Sequence, residues 1–368
     1  MINLLFDNQI FLAQPAGGIS RLFAELYRNF KLPQSGIRVS TPFSFGDNIY
    51  AHNIGRQKSF FSGIQFKGKN KVKNVINKYC MTSQLQKKKY DIFHPTYYNP
   101  YFIDYIGKKP FVLTVFDMIH EIYAQTYFQK DTITSKQKKY LVEKAKRIIA
   151  ISESTKNDII RIFKINPDII DVVYLGCNMD FRKSIKCPVG LINKKYLLFV
   201  GNRGLYKNFL MFVRSIAPLL KKYEGINVVC IGGGSFTKEE CFELNKYGVS
   251  NGFIQKLVFE EELINYYYNA IAFIYPSLYE GFGIPLLEAF SSGCPVIASD
   301  IPVFREVAGK AALYFNPESE QDLTEQIEKI LNSTSLQEEY TKLGYEQIKK
   351  YSWNTTAKMT EEVYLKAI

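Results

Sequence analysis

Two glutamates with seven residues between them stand in the stretch Tyr275-Pro276-Ser277-Leu278-Tyr279-Glu280-Gly281-Phe282-Gly283-Ile284-Pro285-Leu286-Leu287-Glu288-Ala289. An apolar run leads into it, so the chain leaves a strand, passes through a glycine loop and enters a helix. Glycines at 281 and 283 let the backbone come close to a ligand. The helix start beyond them offers unpaired N–H groups and the positive end of a dipole, which suit phosphate or hydroxyl groups. Glu280 lies in the loop and Glu288 roughly two turns along the helix. They therefore reach different depths of one site and do not form a simple acid/base dyad. The glycines alone would equally suit a helix cap, but the whole string argues for a site.

The elements that must position these groups recur through both halves of the chain. Ile2–Phe6 reads as a buried strand, Ala16-Gly17-Gly18 as a turn, and Ile19–Phe30 as a helix with apolar positions at 19, 22, 23, 26 and 30. Further strands are expected at Ile37–Ser40, Ile92–His94, Phe111–Phe116, Arg147–Ile151 and Asp171–Tyr174. The pattern breaks at Cys177–Lys195, which holds Pro188 and Gly190 and reads as an interdomain linker. It restarts with a strand at Tyr196–Val200, a loop at Gly201–Lys207 and a helix at Asn208–Tyr223. Strands follow at Asn227–Ile231, before Gly232-Gly233-Gly234, and at Ala272–Tyr275 and Pro295–Ala298. Each half thus reads as a parallel sheet flanked by helices. The expected fold class is α/β, with two Rossmann-like domains at 1–180 and 181–350. A final helix, 351–368, with Trp353 and Tyr364, is expected to pack back on the first domain. The polar, basic stretch from Ala51 to Lys89 gives no clear pattern.

A length of 368 residues, 46% of them apolar, suits two domains with cores of their own. The formal net charge is +12 and is unevenly spread. Arg56 to Tyr90 holds ten Lys or Arg and no Asp or Glu. Such a run is either a solvated face or a patch for anionic lipid headgroups or an anionic acceptor, with Phe60, Phe61 and Phe66 placed to dip into an interface. No nucleic-acid-binding motif accompanies it, and nucleic acid is not expected as a partner. The six cysteines show no C-x-x-C or Cys/His zinc spacing and read as reduced thiols of a cytoplasmic protein. No apolar stretch approaches the roughly 20 residues that span a bilayer, so contact with the inner face of a membrane would be peripheral.

The Glu280-x7-Glu288 string resembles the signature of family 4 glycosyltransferases, which have the GT-B fold with two Rossmann-like domains facing a central cleft. The resemblance continues through Gly293–Asp300, Glu306 and Ala311–Pro317. It extends upstream to Phe199-Val200-Gly201…Lys207-Asn208, similar to a donor-phosphate loop, and to Ala150–Thr155 and Tyr174-Leu175-Gly176. It implies a retaining, metal-independent transferase with a nucleotide-diphosphate sugar as co-substrate and no cofactor. Arg203 and Lys207 would hold the diphosphate and stabilise the leaving group; fixed cations there act most strongly on the charge that grows in the transition state. Glu288 would bind the ribose and Glu280 the transferred sugar. The N–H groups of Phe282, Gly283 and Ile284 would lie near sugar hydroxyls and phosphate, beside Gly201. Gly17 and Gly18 would let the first domain's loop approach phosphate and acceptor. Retention would proceed by front-face attack, a phosphate oxygen taking the acceptor proton, with no protein nucleophile.

One departure stands out. Relatives carry a His-Asp string after the strand equivalent to Phe111–Val115, and here it is Phe116-Asp117. Asp117 keeps its residue and would orient donor or acceptor. His94 or His120 could replace the missing imidazole, or be structural. The loop with Tyr97, Tyr98 and Tyr101 could stack on a sugar or simply pack.

Resemblance to bacterial surface-polysaccharide enzymes favours a hexose from GDP-mannose over a UDP-sugar, with a saccharide or lipid-linked saccharide as acceptor. Two readings compete: a nucleotide-sugar epimerase on the same fold, and a non-enzymatic protein that binds anionic lipid or nucleic acid. No G-x-G-x-x-G follows a strand, which disfavours a dinucleotide oxidoreductase.

Overall fold

The computed structural model describes residues 1–64, 66–129, 131–177, 186–188, 190–191 and 194–368. Most of the expected linker, with the expected boundary at 180/181, lies outside them. The chain divides into two compact units, Met1–Gly176 with Trp353–Ile368, and Cys177–Ser352.

In the first unit the strands Ile37–Ser40, Ile2–Phe6 and Ile92–His94 pair in parallel, in that spatial order. Val112–Val115, Arg147–Ala150 and Ile170–Val172 form a second parallel set. A parallel bridge between Phe93 and Phe111 joins the two sets. Most of their side chains are apolar and buried, as a sheet covered on both faces requires, while Arg38 and Ser40 of the edge strand face solvent. The C-terminal helix Trp353–Ala367 packs on helix Gly18–Phe30 and strand Arg147–Ala150. It buries Trp353, Val363 and Tyr364, each worth roughly 1.5–3 kcal/mol relative to exposure.

The second unit holds one six-stranded parallel sheet in the order Phe253–Lys256, Ile226–Ile231, Lys195–Val200, Ala272–Tyr275, Val296–Ser299, Ala312–Phe315. Neither Phe253–Lys256 nor Ala312–Phe315 is expected from the sequence. Both are edge strands with half-exposed inner residues; Phe253–Lys256 has no continuous apolar run, whereas Ala312–Phe315 has one, which bears on the sequence analysis only through the family resemblance. The stretch with no clear sequence pattern contains the 19-residue helix Lys69–Lys87. Its inward face is only Asn77, Met81 and Leu85. Asn77 anchors it by exchanging hydrogen bonds with the backbone of Phe45, at 2.8 and 2.9 Å.

Candidate active site

The second unit's strand order reverses between Lys195–Val200 and Ala272–Tyr275, whose connections run to opposite sides of the sheet. Loops that leave the carboxyl ends of two such strands diverge and open a crevice. Those two loops carry Lys207 and Glu280.

The first loop runs from Gly201 to Asn208. Gly201 has φ of +121°, and Leu205 and Asn208 take left-handed values of +58° and +56°. A left-handed leucine costs of order 1–2 kcal/mol; asparagine tolerates the geometry better. Asn208 is fixed by its amide, which donates to the carbonyl of Pro317 at 2.9 Å. This winding turns Lys207 toward the second loop, and the N–H of Leu278 donates to the carbonyl of Tyr206 at 2.8 Å. Lys207 Nζ lies 2.6 Å from Glu280 Oε1. The hydroxyl of Ser277 donates to the same oxygen at 2.7 Å. Burial first, and then Glu280, push the Tyr275 phenol well above its ordinary value, so it stays a donor. Lys207 also lies over the rings of Tyr206 and Tyr275.

After Glu280 the loop meets helix Ile284–Ser291. Gly283 caps it at φ +97°, and a Cβ there would come within 3.1 Å of the Phe304 ring and 3.2 Å of Leu286. No other residue fits both the conformation and the space. Pro285 occupies the first turn, where its missing N–H costs nothing. Phe282 is buried and packs edge-on to Tyr351. Glu288 is buried one side of this helix, where the Tyr267 hydroxyl donates to it at 3.3 Å. Burial and the Glu288 charge keep that phenol protonated. Lys207, Glu280, Gly201, Phe282, Gly283, Ile284 and Glu288 therefore belong to one end of one sheet.

Arg203 has a different post from the one expected. It is buried, and all three of its guanidinium nitrogens are engaged. Nε donates to Glu240 at 2.9 Å, and the other two nitrogens reach the carbonyls of Gly232, Gly233, Gly234 and Ser235. It clamps the triple-glycine loop and does not join Lys207. Glu240 is missed by sequence reasoning, although Thr237-x-x-Glu240 is a capping-box pattern and forms one.

In the first unit, Gly17 and Gly18 open helix Gly18–Phe30. Phe116, which stands where the family resemblance leads one to expect histidine, is buried against Phe23 and Tyr98. Its N–H donates to the Tyr98 hydroxyl at 3.0 Å. His94 is no substitute. It is wholly buried, with Nδ1 2.7 Å from the Tyr364 hydroxyl and Nε2 2.9 Å from Thr114 Oγ1. Burial lowers its pKa from 6.5 to about 3. It is a core pin between the sheet and the C-terminal helix. His120 instead lies 3.3 Å from Asp131 and packs against Phe128 with the rings tilted by 42°.

A polar cluster surrounds Asp117. The buried ammonium of Lys138 donates to the Asp117 carbonyl and to Glu121, both at 2.9 Å, and lies 3.7 Å from the Asp117 carboxylate. It also sits over the ring of Tyr98. Tyr97 is half-buried, and burial, with Asp117 next, raises its pKa to about 12. No sequence signal separates Lys138 from its neighbours Lys136 and Lys139. Asp7 is also missed. It ends the first strand wholly buried, held by Thr96, Gln9 and Tyr101, and burial raises its pKa. Its place at a strand's carboxyl end is the signal that marks it.

Two family models match the chain: "Glycosyltransferase Family 4" over residues 16–181 and "Glycosyl transferases group 1" over residues 185–347. The O-antigen chain mannosyltransferase B of Escherichia coli is 29% identical over 288 residues, 74% of this chain and 74% of that one. The O-antigen chain mannosyltransferase RfbU of Salmonella typhimurium is 30% identical over 224 residues, 59% of this chain and 60% of that one. Among solved structures, sucrose-phosphate synthase from Thermosynechococcus elongatus superposes with a TM-score of 0.74 at 17% identity, covering 99% and 98% of the two chains. Anabaena HepE in complex with UDP and glucose gives 0.75 at 15% identity, covering 99% and 100%. These two likenesses are of fold.

Proposed function

The chain belongs to the family 4, group 1 glycosyltransferases, on the GT-B fold, and on that premise we propose that it transfers a hexose with retention of configuration and without a metal ion. The proposed donor is a nucleotide-diphosphate sugar and the acceptor a saccharide or lipid-linked saccharide of a surface polysaccharide. Two relatives are named as O-antigen mannosyltransferases, which supports GDP-mannose over a UDP-sugar.

The observation that carries this reading is the contact of Lys207 with Glu280 across the switch point of the second sheet. In the proposed reaction the bond from the anomeric carbon to the diphosphate oxygen breaks. A bond from the same carbon to the acceptor oxygen forms on the same face, and a diphosphate oxygen takes the acceptor proton. Lys207 stabilises the negative charge on the leaving diphosphate, the charge-compensating work that a divalent metal would otherwise do. Glu280, anchored by Lys207 and Ser277, orients sugar hydroxyls rather than attacking carbon. Glu288, braced by Tyr267, accepts from the ribose. Helix Ile284–Ser291 presents its N-terminus to phosphate. Asp117 and Tyr97 belong to the acceptor side.

The test is a panel of GDP-, UDP- and dTDP-sugars, each with and without chelator, scored for nucleotide release. The anomeric configuration of the product is then read by NMR. Turnover with GDP-mannose, insensitive to chelator and giving the donor's anomer, is expected. An inverted product or chelator-abolished turnover overturns the mechanism. Epimerised donor in the absence of acceptor would favour the isomerase reading.

A further inference from the structure

Helix Lys69–Lys87 buries Asn77, Met81 and Leu85, at spacing i, i+4, i+8. A second apolar stripe lies on the opposite side of the same helix, with Val72, Val75 and Tyr79 at i, i+3 and i+7. These face solvent; Val75 is 68% and Tyr79 73% exposed. Phe61, Ile64 and Phe66 precede the helix and are also exposed. Lys69 ties the two parts together by donating to the carbonyls of Phe61 at 2.9 Å and Ile64 at 2.7 Å. Loop and helix therefore present one apolar ridge.

Exposed Lys67, Lys71, Lys78 and Lys87 surround that ridge. No acid from Arg56 to Tyr90 offsets its ten cations. A solvated face explains the lysines but not the row of apolar side chains among them. Docking of a second copy would set ten cations against ten, which repulsion opposes. An apolar stripe bracketed by uncompensated cations complements an anionic lipid surface: the stripe enters the headgroup–acyl boundary while the lysines meet phosphate. No described helix is long and apolar enough to cross a membrane, so the contact would be interfacial. We infer that Phe61, Ile64 and Phe66, together with the outer face of helix Lys69–Lys87, dock the first unit on an anionic bilayer. A cavity of about 230 Å³ lies on the inner side of this helix, away from the ridge, lined by Lys73 and Asn74 and by Gln14 and Pro15 of the loop before Gly17. The docking itself does not depend on which sugar is transferred.

The test is co-sedimentation of the whole protein with phosphatidylcholine vesicles, with and without phosphatidylglycerol. Wild type should partition at least tenfold better onto the anionic vesicles, and salt should weaken it. A Lys67→Gln, Lys71→Gln, Lys78→Gln variant should lose about a hundredfold, since each basic residue near such a surface contributes a factor of roughly five. A Val75→Ser, Tyr79→Ser variant, with every charge intact, should lose roughly tenfold or more. Both variants change outward-facing positions, so unchanged melting temperatures should accompany the losses. Equal partitioning of wild type on the two vesicle types overturns the inference, as an acidic protein partner would predict. So does wild-type partitioning by the Val75, Tyr79 variant, because charge alone would then account for adsorption.

Discussion

His94 allows a prediction whose size follows from the structure. Its ring is wholly buried between Thr114 and Tyr364, and burial lowers its pKa from 6.5 to about 3. A depressed folded-state pKa means that the unfolded chain gains a proton near pH 6.5 while the folded chain refuses one. The stability conferred by neutral His94 is therefore complete above pH 6.5 and is lost as pH falls toward 3. At pH 5 the loss relative to pH 7.5 is about 2 kcal/mol, from the proton affinities of the two states. Asp7 acts in the opposite direction, because its raised folded-state pKa favours the folded chain as pH falls. Comparison with His94→Gln cancels that term. The unfolding free energy of the first unit, from denaturant titration, should drop between pH 7.5 and 5 by about 2 kcal/mol more in wild type than in the variant. In NMR, the imidazole Cε1–H resonance that the substitution removes should not move over that range. A resonance titrating with a midpoint between pH 6 and 7 would refute the burial argument, and a histidine able to meet a ligand would return to consideration.

Other outcomes test the second unit. Lys207→Ala should lower kcat by about a hundred- to a thousandfold, the cost of losing one preorganised charge at a leaving group, with nucleotide binding weakened less; full turnover would remove Lys207 from the chemistry. Arg203→Met breaks a buried ion pair and should destabilise the unit by about 3–5 kcal/mol, read as a lower denaturant midpoint. A stable but inactive variant would instead return Arg203 to the diphosphate. Gly283→Ala forces a side chain into φ of +97° and against Phe304, so it should cost about 2 kcal/mol or more and lower donor affinity in calorimetry; wild-type behaviour would mean the loop adapts.

Much of the architecture is local and so is legible in the sequence. Leu197-Leu198-Phe199 and Ala272-Phe273-Ile274 read as buried strands, and the glycines beyond them, Gly201, Gly281 and Gly283, mark the loops. The Glu280-to-Glu288 string carries its own geometry, because loop, cap and helix are consecutive. Lys207 is joined to it in the sequence only by the family resemblance; that both loops leave neighbouring strands is a fact of the folded sheet. The destinations of lone charged and polar side chains are not local. Arg203 lies four residues from Lys207, yet it turns under the sheet end to Glu240 and the glycine carbonyls. His94 ends a strand, where a ligand contact is plausible, until Tyr364 from the far end of the chain closes over it. Lys138 is one lysine among several until the fold encloses it with Asp117 and Glu121. Apolar periodicity and glycine spacing are set by backbone geometry within a few residues, so the chain itself determined most of its strands, its two halves and its glycine loops. Which cation meets solvent or ligand depends on the partners that distant segments bring, and only the tertiary structure decided that.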